Sequence, residues 1–324
     1  MTIAFITLFK YGVSKRNSIY KGGIFMIKKI KAIFLLTIAS FFIPTIPNES
    51  NQPTEKITSL FSHGIADTRL QAYKYAQITP NGFPNDNYLI NNRHHILISF
   101  NYPDAGKSYH INRKETSLAQ KNEVKALDDA HGNIDNQFGV VGLGVSRGAS
   151  AFLVWLGTHP DESKVQNIRA LVLESPFDSI DSVLRCVIGE KLYKSPRIRA
   201  FCHSLVSFIF SKYDKNYITP IEAAPNVPKN IPILIICSEE DTRVPADLSK
   251  KLYDALRATG HDEVHFVKLK HGAHGKLIEG AASETYRNVV HAFYKKYGLP
   301  HHEEYAQPGQ AILDESQPAV DKEN

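Results

Sequence analysis

The segment Gly144-Val145-Ser146-Arg147-Gly148 holds the residue types and spacing with the most chemistry in this 324-residue chain. A neutral serine hydroxyl is a weak nucleophile, so it needs a base to take its proton as it attacks a carbonyl carbon. It must also project beyond its own backbone, which a Gly-x-Ser-x-Gly turn between a strand and a helix achieves. The context is right on both sides: the apolar run Phe138 to Leu143 leads in, and the helical-looking run Ala149 to Leu156 follows. Attack creates an oxyanion, which requires preorganised hydrogen-bond donors. One expected donor is the backbone N–H of Arg147, directly after the nucleophile. The other is the N–H of Ile65, in the His63-Gly64-Ile65 loop that ends an earlier strand-like run at 57–62. His63 is expected to hold that loop by hydrogen bonds rather than to move protons.

The base should come late in the chain, and Lys270 to Gly275 offers His271 and His274. His274, followed by a glycine and lying beyond His271-Gly272, suits a loop that returns to the elbow and is the favoured candidate. An acid must orient that imidazole and stabilise its charged form. Asp241, after the apolar run Ile233 to Cys237 and before Val244-Pro245, has the spacing of a strand-end carboxylate. Glu239 and Glu240 read as solvated neighbours, and Asp178 is a second-choice acid. The order Ser146, Asp241, His274 is that of neither trypsin-like nor subtilisin-like proteases. His94, His95, His301 and His302 fall at strand edges or near the C-terminus and read as surface residues.

Positioning these groups takes a scaffold. Runs at 57–62, 95–100, 138–143, 168–173 and 231–236 read as strands, several continuous enough to be buried on both faces. The run 264–269 alternates more and reads as an edge strand. Helical spacing over 115–129, 149–156, 247–259 and 279–298 alternates with them, which predicts a mostly parallel sheet covered on both sides. Residues 178–228 break the alternation; aromatic, basic and helical in pattern, they read as a cap insertion. The aromatics and the Leu205 to Phe210 run fit either an apolar acyl pocket or the core of the cap. The tail at 299–324, rich in Glu, Gln, Pro and Asp, is expected to be disordered.

Taken together, the His63-Gly64 loop, the segment Ser99 to Ser108, the elbow, Leu173 to Phe177, the Asp241 loop and the Gly272-Ala273-His274-Gly275 loop resemble the α/β-hydrolase superfamily over about residues 55–298. The branch they look most similar to is shared by prolyl-oligopeptidase-like and dienelactone-hydrolase-like proteins. That resemblance implies a sheet of about eight strands and hydrolysis of an ester, thioester or amide without cofactor or metal. Two departures stand out. Ile65-Ala66-Asp67 replaces further glycines after Gly64, and no propeller domain precedes the hydrolase region, which weakens an oligopeptidase role.

Composition narrows the rest. With 43% hydrophobic residues and a formal charge of only +5, the chain suits a globular domain and lacks the concentrated basic face that nucleic acid requires. Cys186, Cys202 and Cys237 are too few and too dispersed for a zinc site or disulfide scaffold. Cys237 reads as a small buried residue. Cys186 and Cys202 could pair in an oxidising compartment, free thiols being the default.

The basic stretch Lys28 to Lys31 precedes the apolar run Ala32 to Ile43, the pattern of a signal peptide or retained N-terminal anchor over 1–47. Met26 reads as the initiator, which would make residues 1–25 a misassigned start. The chain is therefore expected to be exported or membrane-anchored. The reading is a serine esterase acting on a small acyl substrate or a peptide. The alternatives are a prolyl-oligopeptidase-like peptidase and a non-catalytic binding protein on the same scaffold.

Overall fold

In the computed structural model of the protein, which describes residues 57–65, 67, 69–78, 97–100, 102, 116–135, 139–160 and 165–316, six apolar runs form one sheet. The strands are β1 (Ile57–Ser62), β2 (Leu97–Ser99), β3 (Gly139–Val145), β4 (Ile168–Glu174), β5 (Ile233–Ser238) and β6 (Val264–Leu269). All pairings are parallel, in the order β2-β1-β3-β4-β5-β6. The resemblance implied about eight strands; six lie among the described residues.

Successive residues of the central strands enter different cores, as a two-residue side-chain repeat requires. Val140, Leu171 and Ile233 pack in one core with Phe152 and Trp155. Val141, Val172 and Leu234 pack in the other with Tyr286, Val289 and Phe293. Burial on both faces explains why these runs read as continuously apolar. On β6, at the sheet edge, Lys268 is exposed while Val267 and Leu269 are buried, and the sequence alternates accordingly.

Helices α1 (Lys121–His131), α2 (Arg147–Thr158) and α7 (Ala246–Ala258) supply residues to the first core. The 3₁₀ helix Arg69–Ile78 and helices α8 (Ser283–Lys296) and α9 (Glu303–Glu315) supply the second. The first helix starts later than expected from 115–129, at a capping box between Gln120 and Glu123. Between β4 and β5 the 178–228 segment folds as α3 (Ile180–Ile188), α4 (Glu190–Tyr193), α5 (Pro196–Ile209) and α6 (Pro220–Ala223). Gln120 holds it by two hydrogen bonds with the backbone of Asp214, of 2.8 and 2.9 Å.

The expected disorder of 299–324 is corrected by α9. Its polar composition belongs to one face, while Ala306, Gly309 and Leu313 are buried on the other. A Cβ at Gly309 would lie 2.1 Å from the Asn288 carbonyl oxygen of α8, so the two helices touch backbone to backbone. Just beyond α9, the Ser316 carbonyl accepts from Phe266 N–H at 3.2 Å, covering part of the open edge of β6. Residues 317–324 lie outside the described residues, as does the apolar run 32–43. No helix among the described residues is long and apolar enough to cross a membrane.

Candidate active site

The chain winds outward in both directions from β1 and β3, so the crevice between their C-terminal ends is a switch point where open parallel sheets bind ligands. Ser146 lies there, in the residue step between β3 and α2. Its backbone takes φ 53°, ψ −113°, a strained setting for a residue with a Cβ. The Ser146 N–H donates to the Glu174 carbonyl at 2.7 Å, tying the turn to the neighbouring strand. The flanking glycines are there for space. A Cβ at Gly148 would meet the Ser62 carbonyl oxygen at 2.1 Å, and one at Gly144 would meet the Ala149 Cα at 2.5 Å.

Two loops from the ends of β5 and β6 deliver the partners. His274 Nε2 is 2.8 Å from Ser146 Oγ, and its Nδ1 is 2.7 Å from Asp241 Oδ2. With the ring proton on Nδ1 donated to the carboxylate, Nε2 is left to accept the serine O–H. The other carboxylate oxygen of Asp241 accepts from the N–H groups of Arg243 (3.0 Å) and Val244 (2.9 Å). Burial opposes charge on Asp241, yet the His274 hydrogen bond and these amides hold its pKa below the ordinary carboxylate value.

The rival candidates are engaged elsewhere. Nδ1 of the exposed His271 lies 2.9 Å from Glu240 Oε1, and Glu239 pairs with Lys268 at 2.9 Å. Asp178 accepts from Ser182 Oγ (2.7 Å) and Ser179 N–H (2.9 Å) and faces Lys251. Of the histidines expected at the surface, His301 and His302 are half-buried, while His94 and His95 lie outside the described residues.

The His63-Gly64-Ile65 loop lies against the nucleophile, because a Cβ at Gly64 would sit 3.7 Å from Ser146 Cβ. The Gly64 N–H is taken by Gln71 Oε1 at 3.0 Å, which leaves Ile65 as the next amide in the loop. His63 is fully buried; Nδ1 donates to the Gly64 carbonyl at 2.8 Å, and Nε2 accepts from Tyr102 N–H at 3.2 Å. Burial and the nearby Arg147 charge lower its pKa to about 3, so it is a neutral brace.

Sequence reasoning treated Arg147 only as a backbone donor, but its side chain does more. The guanidinium is buried, 3.3 Å from Glu123 Oε1, and donates to Thr116 Oγ1 (2.8 Å) and to the Gly64 carbonyl (3.3 Å). It also lies over the Tyr102 ring at 4.4 Å. One residue thus joins the elbow to the loop beside it and to α1.

Glu174 was also missed. At the end of β4, fully buried, it accepts from Tyr75 O–H at 2.8 Å and from Leu277 N–H, three residues past His274, at 3.3 Å. Burial drives its pKa up to about 7, despite hydrogen bonds from Tyr75, Leu277 and Tyr286 and the nearness of His274. The signal was legible: a lone carboxylate closing the apolar run Ala170 to Leu173 needs a partner.

Among the described residues no group of His, Cys, Asp and Glu side chains could hold a metal ion. Cys186 and Cys202 are both free thiols, the first exposed and the second buried. A cavity of about 220 Å³ lies between the 178–228 segment and the residues before α1, lined by Phe177, Ile180, Asp181, His203 and Tyr213 among others and by none of the hydrogen-bonded trio.

Residues 208–299 match the model of the prolyl oligopeptidase family. No curated protein matches the sequence. An esterase from Pyrococcus furiosus superimposes with TM-score 0.51 at 16% identity, covering 75% of this chain and 83% of its own. A Paleococcus ferrophilus monoacylglycerol lipase gives TM-score 0.49 at 17% identity, covering 75% of this chain and 95% of its own. For a Pyrococcus horikoshii acylaminoacyl peptidase the values are 0.49 and 17%, with 79% of this chain and 39% of that one covered.

Proposed function

We propose that the chain is a serine hydrolase of prolyl-oligopeptidase-like kind, cleaving a carboxylic ester through an acyl-enzyme; the family match over residues 208–299 and the fold likeness to the Pyrococcus furiosus esterase support this reading. The observation that carries this reading is the continuous hydrogen-bonded chain Ser146–His274–Asp241, with links of 2.8 and 2.7 Å.

In the proposed reaction His274 Nε2 takes the Ser146 proton as Oγ attacks the substrate carbonyl carbon. Asp241 holds the Nδ1–H and stabilises the imidazolium that forms. The carbonyl oxygen becomes an oxyanion held by the amides of Ile65 and Arg147. The Arg147 amide is at the first turn of α2, where N–H groups lack intrahelical acceptors. His274 then gives its proton to the departing alkoxide, leaving an acyl group on Ser146. Water, deprotonated by the same imidazole, attacks the acyl carbon, and the acid leaves as Oγ regains its proton. No cofactor takes part.

The family match over 208–299 favours a second reading, in which the same residues cleave a peptide bond. Thioesters and other amides are chemically accessible to the same machinery. The basic and apolar pattern of 26–43 supports export or N-terminal anchoring as part of the proposal.

A panel of p-nitrophenyl esters of graded acyl length, run beside peptide p-nitroanilides, tests bond type and acyl preference. Ester hydrolysis is expected to exceed peptide hydrolysis, and Ser146→Ala is expected to remove at least about 10⁴-fold of it. Ester hydrolysis retained in Ser146→Ala would sink the reading.

A further inference from the structure

Helix α5 of the 178–228 segment presents an outward side that the hydrolase reading does not use. Positions 197, 201, 204 and 208 recur at three- and four-residue spacing and so share one side of the helix. They are Arg197, Phe201, Ser204 and Phe208, all exposed. Phe201 is 68% and Phe208 82% exposed, the most exposed large hydrophobic side chains among the described residues. They stand about 10 Å apart along the axis, at 1.5 Å per residue. The opposite side, with Cys202 and Val206, is buried, so this helix is anchored by one face and offers the other.

The segment that carries the phenylalanines is basic. Over residues 190–215 there are six Lys and Arg (191, 194, 197, 199, 212, 215) against two carboxylates, Glu190 and Asp214, a net +4 where the whole chain carries +5. All six cations are exposed. Lys194 faces Glu190 at 3.8 Å, whereas none of the other five pairs with a carboxylate among the described residues.

We propose that the outer side of α5, with Phe201, Phe208 and Arg197 in a basic segment of the chain, docks on an anionic lipid surface. Two protruding aromatic side chains on one side of a helix in a basic segment match the pattern of helices that lie in the membrane interface. Aromatic rings enter the acyl boundary, while lysine and arginine stems reach back to phosphates. The chemistry favours lipid over protein, since the cores of protein interfaces are depleted of lysine and of charge. It disfavours a second copy of the chain as well, because two segments of net +4 repel. This inference is independent of the hydrolytic reading, as none of these residues belongs to the proposed catalytic machinery.

The test is Phe208→Trp in the full-length protein, with tryptophan emission read in vesicles of phosphatidylcholine alone or mixed with phosphatidylglycerol. The native Trp155 is fully buried in α2 and gives a constant background measured on the unsubstituted protein. The reporter sits on α5, so vesicle binding through another segment does not move it. A blue shift, with quenching by brominated acyl chains, is expected in the anionic vesicles and not in phosphatidylcholine. Each basic residue near the surface strengthens binding about fivefold. Changing Lys191, Lys194, Arg197 and Arg199 to Gln is therefore expected to abolish the shift while leaving circular dichroism unchanged. Three results overturn the proposal: solvent-like emission in both vesicles, an equal shift in both, or persistence of the shift in the four-Gln variant. A shift that appears without lipid and grows with protein concentration also overturns it, assigning the face to a second copy.

Discussion

Glu174→Gln is the perturbation whose magnitude follows most directly from the structure. Glu174 is fully buried and ionises at about 7, against an ordinary value of 4.5. A carboxyl whose folded pKa is raised stabilises the fold relative to its ionised form below the unfolded value, and that advantage is lost as pH rises through the folded value. Unfolded chains release the Glu174 proton above about pH 4.5, while the folded protein keeps it until about pH 7, so folding becomes progressively costlier across that window. Glutamine has nearly the same shape and cannot ionise. Loss of a well-matched acceptor costs Glu174→Gln about 1 kcal/mol at pH 5, where the native carboxyl is protonated in the fold. From pH 5 to pH 8 the native protein should then lose about 2.5 kcal/mol of stability relative to the variant. Urea unfolding of both proteins at pH 5, 6, 7 and 8 measures this difference, and other titrating groups cancel between them. Stability curves that run parallel over the whole range would show that Glu174 does not keep its proton to near neutral pH in the fold.

Three further outcomes follow from the site. Gly148→Ala places a methyl group 2.1 Å from the Ser62 carbonyl oxygen, so it should cost about 3 kcal/mol and lower activity, measured by thermal melting and ester turnover. Asp241→Asn should leave the fold intact but reduce kcat by about 10⁴-fold with little change in KM, because the asparagine amide disfavours the required imidazole tautomer. Arg147→Met leaves Glu123 buried without its cation and should cost about 3–5 kcal/mol in urea unfolding. Glu123→Gln combined with Arg147→Met should recover part of that loss.

Much of the scaffold was legible because burial on two faces writes itself as an unbroken apolar run, as in Val140 to Leu143 and Ile233 to Cys237. The elbow was legible because Gly144 and Gly148 leave no room for a Cβ, a steric demand that only glycine meets. The trio was readable from order along the chain, since each member follows a strand. What escaped was the buried polar support. Glu174 meets Tyr75, 99 positions earlier, and Leu277, 103 later, a pairing that depends on elements distant in sequence being neighbours in space. The side chain of Arg147 reaches Glu123 because two helices separate in sequence pack side by side. Helix α9 was misread because composition averages over a helix, whereas packing uses one face: Ala306, Gly309 and Leu313 suffice to dock it.

In the proposed reaction Ser146 becomes covalently acylated because His274 and Asp241 activate it. Reaction of the protein with a fluorophosphonate, followed by peptide mass spectrometry, measures this directly. One adduct per chain is expected, on Ser146, with labelling absent in Ser146→Ala and strongly slowed in His274→Ala. An unlabelled native protein, or an adduct on any other residue that persists in Ser146→Ala, would contradict the proposed reaction.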